Sequence, residues 1–294
     1  MSLKALALIG TLGLSAQSTE GPDLDALEPG TVWRLTFRTV PRDLTALARA
    51  PFDHPKAAGL WAGGLLLVVA ADRPLTEAWQ KQVEPRVDYT IHGLWEGDRG
   101  GIAGADTWLV ASLPAWYAGS LALGSGRGQV AALLGVKAAT YSYVVGHLVL
   151  KTAFARERPN PTLGLAPPDA PFTDSPWRWG QFHRPYLEAR PEGTAFPSFH
   201  ATLYASVAAV FAEVYGTPWI PYGVALALFG ADIRGHRHWV SDLVAGAALG
   251  VGIGRTVVRE FKGAVTTPRG TVAWSLQPWT DLRHQAGVAV RVAW

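Results

Sequence analysis

The chain has 294 residues, 49% of them apolar and only 17% charged, with a formal net charge of +3. That composition excludes a disordered chain, a charged tail protein and a low-complexity scaffold. There is no cysteine, which excludes a disulfide framework, a thiolate zinc site, an iron–sulfur cluster and a cysteine nucleophile, and the mild positive charge gives no argument for a nucleic-acid partner.

Lys4, the apolar run Ala5–Leu14 and the small residues Ser15–Ser18 read as an export signal over 1–18. An apolar run of about ten residues is too short to span a bilayer. Gly30–Pro41 alternates and reads as a short strand, followed by a helical turn over Asp43–Ala50 with Asp43 as its cap. Residues 19–56 are thus expected as an N-terminal strand and short helix. Six apolar helices follow at about 57–71, 107–125, 129–155, 200–216, 218–232 and 239–257, within a helical domain over 57–258. A long loop, Pro159–Pro197, separates the third from the fourth, and a loop of that length inside a compact domain is usually functional. In the tail, 259–294, Thr271–Leu276 and Gly287–Trp294 alternate as two strands. The expected fold is all-α, about six apolar helices with a small accessory β element from the N- and C-terminal segments. Tryptophans flanking several apolar stretches add an expectation of membrane association.

Three clusters at helix ends carry chemistry. Lys151 and Arg158, seven apart and followed by Pro159, share a face if the helix continues through them. Two such cations can hold an oxyanion, though a basic helix end also complements the macrodipole. Ser198 sits where an N-cap belongs, so the amides after it form an anion site, with His200 in the first turn able to exchange a proton. His238 and Asp242 are four apart, so a helix brings the carboxylate back toward the imidazole, as a histidine nucleophile requires. His236 and His238 alone lack the further ligands a metal site needs.

Together and in this order, Lys151-x6-Arg158-Pro159, Pro197-Ser198-Phe199-His200 and His238-x3-Asp242 resemble the type 2 phosphatidic acid phosphatase (PAP2) superfamily, which includes class A acid phosphatases and vanadium haloperoxidases. The resemblance covers about 107–257. It implies that Lys151, Arg158, Ser198 and the Phe199 amide bind phosphate, and that His238 attacks phosphorus with Asp242 orienting it. It further implies that His200 protonates the leaving oxygen and then activates water, without a metal or other cofactor. Two positions depart from the family pattern. Phe199 replaces its glycine, and Asp232 stands where the third motif has arginine, so Arg234, with Arg237 as second choice, is the candidate replacement.

The implied function is a phosphatase acting on a phosphomonoester or diphosphate, lipid-linked because apolar helices border the motifs. Its partners would be a phosphorylated lipid or small phosphoester and a membrane. The expected location is a bacterial-type cell envelope with the site facing outward, which places Arg255, Arg259 and Lys262 inside, beyond the last helix. The alternatives are a soluble periplasmic acid phosphatase of broad specificity and a non-catalytic membrane protein on the same scaffold.

Overall fold

The computed structural model describes residues 21–96, 103–184, 192–231, 233 and 238–267, together with the backbone of 273–280 and 286–293. The export signal read over 1–18 lies outside them. The described residues between 21 and 267 form an all-α bundle.

The N-terminal region departs from expectation. Gly30–Pro41 forms no strand; α1 spans Pro29–Arg38 and α2 spans Val40–Asp53. The buried residues Val32, Leu35 and Thr36 are spaced three and four apart, which is a helix face. Thr36 and Thr39 hydroxyls donate to the carbonyls four residues back, at 2.8 and 3.1 Å. Pro29 and Pro41 fall in first turns, where the missing N–H has no intrahelical partner to lose. Asp43 is no cap but a buried residue inside α2. It accepts from Lys137 at 2.5 Å and from the Tyr141 hydroxyl at 3.0 Å, tying α2 to the next core helix.

α3 (Pro55–Ala70) and an unexpected α4 (Asp72–Gln82) form a broken rod, bent by 65°. The break leaves Asp72 fully buried at the start of α4. α5 spans Asp106–Ala122. α6 (Gly126–Tyr141) widens into a π-helical stretch over Ser142–Leu150 and ends as α7, Lys151–Phe154. Widened turns of this kind are rare and concentrate at functional sites. Here one lies immediately before Lys151.

α8 (Phe199–Tyr215) is the central helix, and α9 (Trp219–Ala231) and α10 (Val240–Thr266) follow it. α8 and α10 approach through Gly246, Gly250 and Gly254. A Cβ at any of these would lie within 2.5 Å of a carbonyl of Ser198, Thr202 or Ser206. Small residues at four-residue spacing let two helix backbones come this close. The seam starts at the site itself, where the Ser198 amide donates to the Asp242 carbonyl at 3.0 Å. Farther along, Val130, Leu134, Val210, Ile253, Val257 and Phe261 close one apolar core between α6, α8 and α10.

Two helical stretches, Gly126–Phe154 and Val240–Thr266, are long and apolar enough to cross a membrane, and α3 with α4 would make a third as one bent span. α9 buries none of its side chains; Trp219, Ile220 and Leu226 are mostly exposed. These features fit membrane association. α10 runs past the expected end, so Arg255, Arg259 and Lys262 lie within it and not beyond it. Arg255 pairs with Glu213 of α8 at 3.1 Å, and Lys262 donates to the Glu213 carbonyl at 2.9 Å. At the C-terminal end, the backbones of β1 (Ala273–Thr280) and β2 (Ala286–Ala293) pair antiparallel.

Candidate active site

Lys151 and Arg158 do not share a helix face. α7 stops at Phe154, Ala155 takes a left-handed conformation at φ 44°, and the chain leaves extended. In an extended segment residues two apart face the same side, and Arg156 and Arg158 are both buried. Arg156 turns into the interior, and Arg158 turns toward the segment that leads into α8.

That segment is the hub. Lys151 Nζ donates to the Thr194 carbonyl at 2.6 Å, and Arg158 Nε donates to the Thr194 hydroxyl at 3.0 Å. One residue on, the Ala195 carbonyl lies 2.8 Å from His238 Nδ1. Two cations and one imidazole from three parts of the chain are thereby hung on a single dipeptide. The Ala195 amide donates to the Arg156 carbonyl at 3.0 Å, which fixes the dipeptide in turn.

The contact to Ala195 decides the histidine's tautomer. A carbonyl only accepts, so Nδ1 carries the proton and Nε2 presents a lone pair. Burial, then the neighbouring charges of Lys151, Arg158 and His200, holds His238 well below its ordinary value. The neutral form, the one able to attack an electrophile, is therefore the stable one near neutrality.

Asp242 lies 3.7 Å from His238 Nδ1, longer than a hydrogen bond. Its Oδ2 accepts from the Trp239 amide at 2.8 Å, and its Oδ1 accepts from Arg156 at 2.6 Å. Arg156 is wholly buried. It also donates to Asp72 of α4 at 2.7 Å, to the Ser241 hydroxyl at 2.7 Å and to the Pro176 carbonyl. The Ser241 amide and hydroxyl both donate to Asp72. The rings of Trp179 and Trp239 lie 4.4 and 5.3 Å from the guanidinium carbon. Asp242 is thus gripped by an arginine that the motif spacing does not include.

Ser198 is the N-cap of α8, its hydroxyl accepting from the Ala201 amide at 3.4 Å. The hydroxyl hydrogen remains a donor. Phe199 opens the helix, so its amide is one of the first-turn N–H groups with no acceptor inside the helix. Its ring packs against Tyr143 and His147 of the π-helical stretch, at centroid distances of 5.8 and 5.4 Å. His200 Nε2 lies 2.9 Å from Asp106 Oδ2 on α5. Asp232, Arg234, His236 and Arg237 lie outside the described residues, so the displaced arginine has no observed position. Among the described residues no group of three or more His, Asp or Glu side chains gathers as a metal site would.

Residues 129–264 match the family model of the PAP2 superfamily. The match supports membership of that superfamily. No curated protein and no solved structure matches the chain. The match holds Lys151, Arg158, Thr194, Ser198, His200, His238 and Asp242. Asp72 and Asp106 lie before it. Similarity to a superfamily rich in phosphatases supports a phosphoric ester hydrolase.

Sequence reasoning missed Asp72, Asp106, Arg156 and Thr194. The first two carried a signal: each is an acidic residue at the border of an apolar run, where an unpaired carboxylate would be costly.

Proposed function

We propose that this protein is a metal-independent phosphatase acting on a lipid-linked phosphomonoester or diphosphate through a phosphohistidine. The observation that carries the reading is the meeting of Lys151, Arg158 and a neutral His238 on Thr194–Ala195. The amides that open α8 lie a few residues farther along the same segment.

In this reading Lys151, Arg158, the Ser198 hydroxyl and the Phe199 amide hold the phosphoryl oxygens, joined by Arg234. His238 Nε2 attacks phosphorus, the ester P–O bond breaks, and its electrons go to the leaving oxygen, which His200 protonates. His200 then takes a proton from water, the water oxygen attacks phosphorus, and the P–N bond breaks to release phosphate and neutral His238. Asp242, itself fixed by Arg156, supplies negative charge near Nδ1 while the imidazole carries phosphorus. Positioning and charge neutralisation are the main levers in phosphoryl transfer.

Two apolar grooves favour a lipid. One, about 370 Å³, opens between α4, α8, α9 and α10 beside Ala201, Tyr204, Phe229 and Leu243. The other, about 300 Å³, lies between α5, α8 and α9 beside Leu109, Tyr204 and Val224. Both reach Tyr204, one helical turn beyond His200. We place the protein in a bacterial-type cell envelope, exported and with the site facing outward.

The test is phosphate release by the purified protein in detergent micelles, from phosphatidate and from p-nitrophenyl phosphate, with EDTA and with vanadate. The reading expects activity that survives EDTA, falls with vanadate and is faster on phosphatidate. Activity lost on chelation and restored by zinc or magnesium overturns the metal-independent mechanism. A preference for the water-soluble ester overturns the lipid assignment.

A further inference from the structure

Asp106 lies outside the family match, yet it reaches the one histidine that the proposed mechanism uses as an acid. His200 Nε2 sits 2.9 Å from Asp106 Oδ2, with the carboxylate 1% and the imidazole 25% exposed. The carboxylate is itself fixed. Tyr204, one turn after His200 on the same helix, donates its hydroxyl to Asp106 Oδ1 at 2.6 Å. Tyr204 is buried, and its ring lies 6.2 Å from that of His200. α5 thus presents a carboxylate to α8, and α8 supplies both the imidazole and the anchor that aims it.

We propose that Asp106 is the positioning residue for the general acid, holding the His200 ring so that one nitrogen faces the leaving oxygen. The inference rests on the phosphatase reading. A carboxylate in contact favours the imidazolium and fixes which ring nitrogen faces away from it. With Nε2 turned to Asp106, Nδ1 is the nitrogen that gives its proton to the leaving oxygen. Among the described groups near His200 are the Tyr204 ring, the Phe199 ring and His238. Lys151 and Arg158 face His238. Lys151 and Arg158 thus flank one histidine, while a buried carboxylate lies against the other. Environments that push two titrating groups apart in this way separate a base from an acid.

Help from an acid matters in proportion to how poor the leaving group is. The experiment compares kcat/KM for an alkyl phosphate and for p-nitrophenyl phosphate, across pH, in the wild type, Asp106→Asn, Tyr204→Phe and Asp106→Glu. The kcat/KM comparison reads only the steps through formation of the phosphohistidine, so later hydrolysis does not mask the effect. Asp106→Asn is expected to lose about a hundredfold on the alkyl ester, within the range general acids contribute, and about threefold or less on the aryl ester. Its alkaline limb should move to lower pH, because an imidazolium without its anion gives up its proton sooner. Tyr204→Phe, which leaves the carboxylate in place, should show the same pattern more weakly, and Asp106→Glu should recover part of the loss. Equal losses on the two esters, with an unmoved alkaline limb, overturn the proposal and leave Asp106 a structural residue. A wild type with no phosphatase activity removes the functional reading and this inference with it, so the two failures are distinguishable.

Discussion

Arg156 and Asp242 meet at 2.6 Å with neither side chain exposed to solvent. The same guanidinium holds Asp72 at 2.7 Å, so one cation compensates two buried carboxylates from helices at opposite ends of the sequence. Removing it leaves both uncompensated. Arg156→Gln is expected to destabilise the protein by about 3–5 kcal/mol, the range for breaking a buried pair. Arg156→Lys should rescue little, since one ammonium cannot span Asp72, Asp242, Ser241 and the Pro176 carbonyl. Arg178→Ala, which breaks an exposed pair with Glu157, should change stability by less than about 1 kcal/mol. Thermal unfolding in one detergent compares the three.

The second prediction concerns pH. His238 attacks only when neutral, so kcat/KM falls as pH drops through its folded value. That value lies below 6.5 through burial and the cations around it, so the acid limb should lie below pH 6.5. Replacing Lys151 or Arg158 by Met removes a like charge and raises the value. The acid limb of either variant should therefore move toward neutrality, whatever happens to KM. A limb that stays in place in both variants contradicts the electrostatic account of the nucleophile.

The helix seam gives a third. A Cβ at Gly250 would collide with the Thr202 carbonyl, whereas one at Gly252 meets nothing within 4 Å. Gly250→Val should cost about 1–3 kcal/mol by overpacking and should also lower activity, because the seam aligns Ser198 with Asp242. Gly252→Ala on the same helix should gain about 0.5–1 kcal/mol from reduced backbone entropy. Unfolding and turnover of both variants check the pair.

Much of this arrangement is written in local spacing. The helices near 107–125, 129–155, 200–216, 218–232 and 239–257 follow from long apolar runs, and their ends lie within a few residues of expectation except at α10. Lys151, Arg158, Ser198, His200, His238 and Asp242 stand out because short motifs keep them together in sequence. Their partners do not. Arg156 and Asp242 are 86 residues apart, and Asp106 and Tyr204 are 98. No period or motif links such positions; only the packing of the stretch after α7 against α10, and of α5 against α8, brings them together. The misread strand at Gly30–Pro41 has a local cause. Val32, Thr36 and Val40 satisfy both an alternating pattern and a four-residue one, and the prolines at 29 and 41 resolve the ambiguity toward helices.

A fourth prediction addresses the displaced arginine. If Arg234 supplies the contact that Asp232 cannot, Arg234→Ala loses a charge-assisted bond of about 1.5–3 kcal/mol and lowers kcat/KM roughly ten- to a hundredfold. Arg237→Ala should cost much less. An unaffected Arg234→Ala together with a faster Asp232→Arg would show that Arg234 does not take the motif arginine's place.

The central claim is that His238 carries the phosphoryl group. The most direct test mixes the enzyme with 32P-labelled substrate, quenches in alkali within a turnover, and maps the label by peptide. A phosphoramidate survives base and hydrolyses in acid, so the account predicts acid-labile label on the peptide bearing His238. It further predicts more label in His200→Ala, where hydrolysis is slowed, and none in His238→Ala. Label on another residue, or a His238→Ala enzyme that keeps more than a few per cent of wild-type turnover, would contradict it.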